Sequence, residues 1–148
     1  RDQIPLATIS TDVIVGFPDE TDEDFEQTYQ LLEEARWDLA YIFMYSPRDG
    51  TKSAQWADSI PDEVKKHRVQ KLIGRQEVIS GEINKTYIGQ RHEVLVESIS
   101  KKRESDLMGR TVSDKCVIFP GDTSLVGQTV QVDINDSHPH TLFGKLSI

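Results

Sequence analysis

Cysteine is almost absent from this sequence: among 148 residues there is one, Cys116. That scarcity excludes an internal disulfide framework, and with it any metal or iron–sulfur centre held by cysteines of this chain alone. It fits the reducing cytoplasm. Long apolar runs are missing as well, and none reaches the roughly 18 residues that mark a membrane-spanning helix. The N-terminus lacks the basic-then-apolar pattern of a secretion signal. The expectation is a soluble, cytoplasmic protein with no membrane partner. The chain starts at Arg1 where a methionine would stand, as a piece of a longer protein would.

Charge is plentiful but unevenly spread. Residues 1–63 hold four Lys/Arg against fifteen Asp/Glu, a net of −11, whereas residues 64–148 hold thirteen against ten, a net of +3. Such asymmetry suggests two parts with different tasks. Six acids fall in the eight positions from Asp19 to Glu26, and they read as a solvated helix start. The helix macrodipole favours negative charge there by roughly 0.3–1 kcal/mol each.

Ile9–Val15 is a short β-branched run interrupted only by Asp12, a pattern of strands buried on both faces of a parallel sheet. Thr21 is a suitable N-cap, with Asp24 three residues on in a near capping box. Phe25, Tyr29, Leu32 and Ala35 then recur at helical spacing, and Leu39–Tyr45 reads as a second strand. Strand, helix, strand at this spacing is a βαβ unit with parallel strands. After a loop, Pro61 opens a long helix with an apolar stripe of Val69, Leu72, Ile73, Val78, Ile79 and Ile83. Its polar positions are basic: Lys65, Lys66, Arg68, Lys71, Arg75 and Lys85.

Beyond Gln90 the texture changes to short strands, HEVLVESI, KCVIF, QTVQVDI and HTLFGKLSI, with Gly, Asp, Pro and Ser between them. This indicates a small barrel or sandwich. No internal repeat is evident. The expected fold class is therefore α/β followed by all-β, with the boundary near Tyr87 to Gly89: residues 1–85, then 86–148.

Seven motifs carry a resemblance when taken in order: DVIVGFPDET, YSPRDGT, PDEVKKHRVQKL, INKTYIGQRHEVLVE, GRTVSDK, FPGD and TLFGKL. Together they resemble the C-terminal part of the radical S-adenosylmethionine methylthiotransferases. The resemblance implies that residues 1–85 are the C-terminal slice of a radical-SAM partial (β/α) barrel. Residues 86–148 would be a TRAM domain, a small OB-like RNA-binding β-barrel. It also implies S-adenosyl-L-methionine and 4Fe–4S clusters as cofactors. The cluster cysteines would lie upstream, so this chain alone should hold no metal, carry no catalytic residue and be inactive. The implied partner is tRNA, through its anticodon stem-loop, with no DNA and with the protein a monomer. The implied activity is insertion of a methylthio group at C2 of N6-isopentenyladenosine at tRNA position 37.

In this family the residues matching GFPxET edge the S-adenosylmethionine pocket, which makes Gly16, Phe17, Pro18 and Glu20 candidates. A residue without Cβ at Gly16 would let a ligand approach the backbone. Relatives usually carry Gly where this chain has Asp19. Tyr45, Ser46 and Arg48 match the family at the second rim loop, where a guanidinium fork suits a carboxylate or phosphate. An Arg here resembles the tRNA-modifying branch, whereas the branch acting on a ribosomal-protein aspartate shows an acid. For RNA the candidates are Lys101, Lys102, Arg103, Arg110 and Lys115, five cations in fifteen residues. Phe119, His138, His140 and Phe143 are possible stacking groups, with core packing the commoner role for both Phe. Two alternatives stand beside the tRNA enzyme: the ribosomal-protein methylthiotransferase and a stand-alone RNA-binding module.

Overall fold

The computed structural model describes residues 3, 4 and 7–147. Ile148, last in the expected final strand, lies outside the described residues. The chain divides into two compact units, Ile9–Ile79 and a second that runs from Ser80 onward and includes the residues before Ile9. The division falls within one helix.

In the first unit, strands β1 (Ser10–Val15) and β2 (Leu39–Met44) pair in parallel, from Ser10 opposite Leu39 to Val15 opposite Met44. Helix α1 (Asp22–Ala35) joins them. Thr21 caps it in a full capping box: its hydroxyl accepts the Asp24 N–H, and the Asp24 carboxylate accepts the Thr21 N–H. Arg36 ends the helix in the left-handed region at φ 46°. Helix α2 (Asp62–Lys85) begins as the N–H groups of Val64 and Lys65 donate to Pro61 O. Val15, Phe25, Leu32, Leu72 and Ile79 are the buried apolar residues that these elements supply.

Burial on both sheet faces does not occur. Ile14 is 56% exposed and Phe43 52%, and Tyr41 lies on the same bare face. Side chains alternate along a strand, so a two-strand sheet covered on one side leaves every second residue to solvent. The apolar stripe of α2 is also narrower than its sequence suggests, since Ile73 and Val78 are exposed.

The acidic run is not simply solvated. Arg68 pairs with Glu20 and Asp22, Lys71 with Glu26, and Arg75 with Glu33, so a basic row on α2 faces an acidic row on and before α1. Lys71 also lies 4.5 Å from the centre of the Tyr29 ring.

In the second unit, β3 (Arg91–Ile99), β4 (Asp106–Thr111), β5 (Cys116–Pro120), β6 (Thr129–His138) and β7 (Thr141–Leu146) close into a barrel in the order β3-β4-β5-β7-β6. All pairs are antiparallel except β5 with β7. This is a mixed, OB-like barrel. Its core is Val94, Val96, Leu107, Val117, Phe119, Val132, Ile134 and Leu142. Strand β4 was hidden in the sequence, where Asp106–Thr111 reads as part of one basic loop; Gly109 masks it.

Gly109 is there for a reason. A bulge between Val96 and Ser98 in β3 brings the Leu95 carbonyl so close that a Cβ at Gly109 would overlap it. The same device recurs between Ile134 and Asp136 in β6, where Gly144 of β7 meets the Asp133 carbonyl. Leu107-Met108-Gly109-Arg110 and Leu142-Phe143-Gly144-Lys145 thus occupy equivalent hairpin positions. It is a repeat of geometry too short to register as a repeat of sequence. Bulges of this kind bend strands enough to close a small barrel.

Candidate functional site

The C-terminal end of β1 turns sharply. Gly16 has φ 72° and Asp19 φ 69°, both in the left-handed region. Asp tolerates that region better than most residues, so the turn forms with Asp19 in place. The Gly16 N–H donates to Glu20 Oε2 at 2.8 Å, and the same carboxylate accepts from the Arg68 guanidinium. Arg68 reaches Asp22 with its other arm at 2.6 Å. Glu20 therefore locks the turn from inside. The space a Cβ would need at Gly16 is taken by the Lys65 stem, and the positive φ favours glycine there as well.

Beside this turn lies a concavity of about 550 Å³ over the bare face of the sheet. Ile14, Phe43 and Met44 make its apolar floor, Phe17 and Tyr45 an aromatic side, and Asp12, Ser46, Arg48, Thr51 and Ser53 its polar rim. Of the seven rim candidates, Phe17, Tyr45, Ser46 and Arg48 come together here. Gly16, Pro18 and Glu20 do not line it; they shape the turn that presents Phe17.

The aromatic side is built edge to face. Phe17 stands 5.0 Å from Tyr45 and 5.7 Å from Trp56, ring centre to ring centre. Such geometry brings the positive edge of one ring to the negative face of the next. The Tyr45 hydroxyl is buried without a hydrogen-bond partner among the described residues. Arg48 shapes its own loop through its carbonyl, which accepts from both the N–H and the hydroxyl of Thr51. Its guanidinium, like the Asp12 carboxylate, has no ion pair among the described residues. The arrangement suits a ligand with a flat ring and polar groups of both signs. Sequence reasoning passed over Asp12, Trp56, Asp58 and Lys65; the lone acid inside a β-branched run was the one signal that could have found Asp12.

In the barrel the five cations separate. Lys101, Lys102 and Arg103 are exposed on the β3–β4 connection, with no side-chain partner among the described residues. Arg110, within β4, is held by Asp114 at 2.9 Å and Glu97 at 3.4 Å. Lys115 lies 5.6 Å from the centre of the Tyr87 ring, which in turn packs on His92. Phe119 is core, Phe143 packs edge-on to His138, and His138 and His140 are exposed.

Cys116 is half-buried in β5, and burial pushes its thiol up from the ordinary range, away from the thiolate a metal needs. No group of three His, Cys, Asp or Glu converges to hold a metal among the described residues. No described helix is long and apolar enough to cross a membrane.

The five-stranded barrel coincides with a known domain family. The TRAM domain family matches residues 85–147, the stretch that holds the barrel. Its likeness to known proteins runs much further than the barrel. The tRNA-2-methylthio-N(6)-dimethylallyladenosine synthase of Acetivibrio thermocellus is 47% identical over 146 residues, 99% of this chain and 30% of that protein. Those of Carboxydothermus hydrogenoformans and Desulfitobacterium hafniense are 47% and 48% identical, over 99% and 96% of this chain. The chain spans 33% and 32% of those two relatives, about a third of each. The resemblance seen in the seven motifs thus extends along both units.

Proposed function

We propose that this chain is the C-terminal part of a tRNA methylthiotransferase that modifies C2 of N6-isopentenyladenosine at tRNA position 37. The observation that carries this reading is the extent of the likeness: near 47% identity over 99% of the chain, covering the rim loops as well as the barrel. In this reading β1, α1, β2 and α2 are the closing slice of a radical-SAM (β/α) barrel. The bare sheet face would be barrel interior, and active sites of such barrels lie at the C-terminal strand ends, where the concavity is.

S-adenosylmethionine fits what the concavity offers. Its adenine suits the Phe17–Tyr45 side, and its polar groups suit Arg48, Ser46, Asp12 and the unpartnered Tyr45 hydroxyl. Bound there, it supplies radical chemistry. The residues of this chain bind and orient it, while Phe43 and Met44 exclude water from the floor. In this reading the 4Fe–4S clusters are held by residues outside this chain, and the chemistry that needs them belongs there. The barrel would take the tRNA anticodon stem-loop through Lys101, Lys102 and Arg103. The setting is the cytoplasm, with the protein acting as a monomer.

The reading is tested by deleting the gene in its native host and analysing tRNA nucleosides by mass spectrometry. The methylthio group should vanish from the isopentenylated adenosine and return when the complete gene is restored. An unchanged nucleoside profile would exclude this substrate.

A further inference from the structure

Lys65 is in an uncommon place for a lysine. Its side chain is 2% exposed, and its ammonium is ion-paired with Asp58, whose carboxylate is 34% exposed. Its stem fills the space beside Gly16 at the end of β1, and its Nζ lies 5.8 Å from the centre of the Tyr45 ring at the end of β2. One side chain thus meets both strand ends and the loop that carries Trp56 and Asp58.

A lysine ammonium has three donors, yet Asp58 is its one hydrogen-bond acceptor among the described residues. The Tyr45 hydroxyl beside it has none. Buried polar groups left short of partners are costly and rare. The chain keeps two of them side by side, and one, Tyr45, lines the concavity. The Lys65–Asp58 pair also has a mechanical consequence. Asp58 stands two residues after Trp56, and Trp56 packs on Phe17, which packs on Tyr45. The ion pair is therefore the tether that keeps a half-exposed Trp against the aromatic side.

We propose that Lys65 is a positioning residue for the ligand of this concavity: through Asp58 it holds the Trp56 loop closed, and so sets the Phe17–Tyr45–Trp56 side against which the ligand's ring packs. The inference rests on the S-adenosylmethionine reading above.

The experiment uses the complete protein with Lys65→Met, Asp58→Asn and the double variant. Methionine keeps an unbranched stem beside Gly16 and removes the charge. S-adenosylmethionine binding is measured by equilibrium dialysis, alongside tRNA binding and the melting temperature. Each single variant should weaken S-adenosylmethionine binding by about tenfold, and the double variant by about the same factor, because both break one tether. Affinity for tRNA should stay within about twofold of wild type, an outcome that general loosening of the fold would not give. Should Lys65→Met fail to fold, Asp58→Asn, altered on a partly exposed side, carries the test alone. Unchanged S-adenosylmethionine affinity in the variants overturns the inference and leaves the cofactor reading intact. So do effects that multiply in the double variant, or tRNA and S-adenosylmethionine affinities that fall together with the melting temperature. A wild-type protein that does not bind S-adenosylmethionine overturns both.

Discussion

The two β-structures of this chain solve the same problem to different degrees. In the barrel each strand pairs on both sides, so no edge is left, and alternate residues fill one enclosed core. The sheet of β1 and β2 has two free edges and one bare face carrying Ile14, Tyr41 and Phe43. Several cations follow the same division. Lys65, Arg68, Lys71 and Arg75 are each committed to acids of their own unit, whereas Lys101, Lys102 and Arg103 face solvent uncommitted. The division is not complete: Arg91 and Arg110 of the barrel pair with Asp133 and with Glu97 and Asp114, while Arg48 of the first unit has no ion pair among the described residues.

The largest expected difference is in autonomous folding. Residues 86–148, which contain the whole barrel core, should give a cooperative thermal melt by circular dichroism when expressed alone. Residues 1–85 should not, because their sheet edges and bare face lack partners. A cooperative melt of 1–85 with an unfolded 86–148 would reverse the comparison.

Single side chains sharpen it at the next scale. Phe119→Ala empties the barrel core and should destabilise it by about 3–5 kcal/mol in urea titration. Phe43→Ala on the bare face should change the stability of this chain by no more than ~0.5 kcal/mol. Comparable losses would mean that the sheet face is covered in solution.

Smaller again is the lock at the β1 turn. Glu20→Ala removes the acceptor of the Gly16 N–H and one of two carboxylates on Arg68, and should cost about 1–3 kcal/mol. Hydrogen exchange at Gly16 should accelerate in the variant. If exchange there is unaltered, the turn is held by something other than Glu20.

The smallest effect concerns RNA. Replacing Lys101, Lys102 and Arg103 with Ala in the complete protein should weaken binding of a tRNA anticodon stem-loop. Each lost phosphate contact should lower the log–log salt slope by roughly 0.7–0.9. Arg110→Ala should do less, since Asp114 and Glu97 already hold that guanidinium. An equal or larger effect from Arg110 would move the RNA surface onto β4.

Legibility in the sequence followed the range of the interaction. Thr21 with Asp24, the helical spacing of Phe25 and Leu32, and the alternation of HEVLVESI were all readable, because each depends on neighbours within a turn or a strand. Strand β4 was not readable, because the reason for Gly109 is a carbonyl fourteen residues earlier in the chain, at Leu95. The rim candidates were half legible. Phe17, Tyr45, Ser46 and Arg48 line one concavity, but only folding shows that Glu20 turns inward.

By itself the sequence determined the strand–helix–strand–helix order of the first unit, the capped helix, the change from α/β to all-β and the likeness to a family, since these are local patterns or patterns of order. Tertiary structure alone decided which charges are spent and which are free. Arg68 meets Glu20 across 48 residues and Arg75 meets Glu33 across 42, and a row of basic residues on a helix looks the same in sequence whether it faces water or acids. The sequence shows α2 only as a basic helix on that account. Coulomb attraction depends on distance in space, and distance in space is what the fold creates.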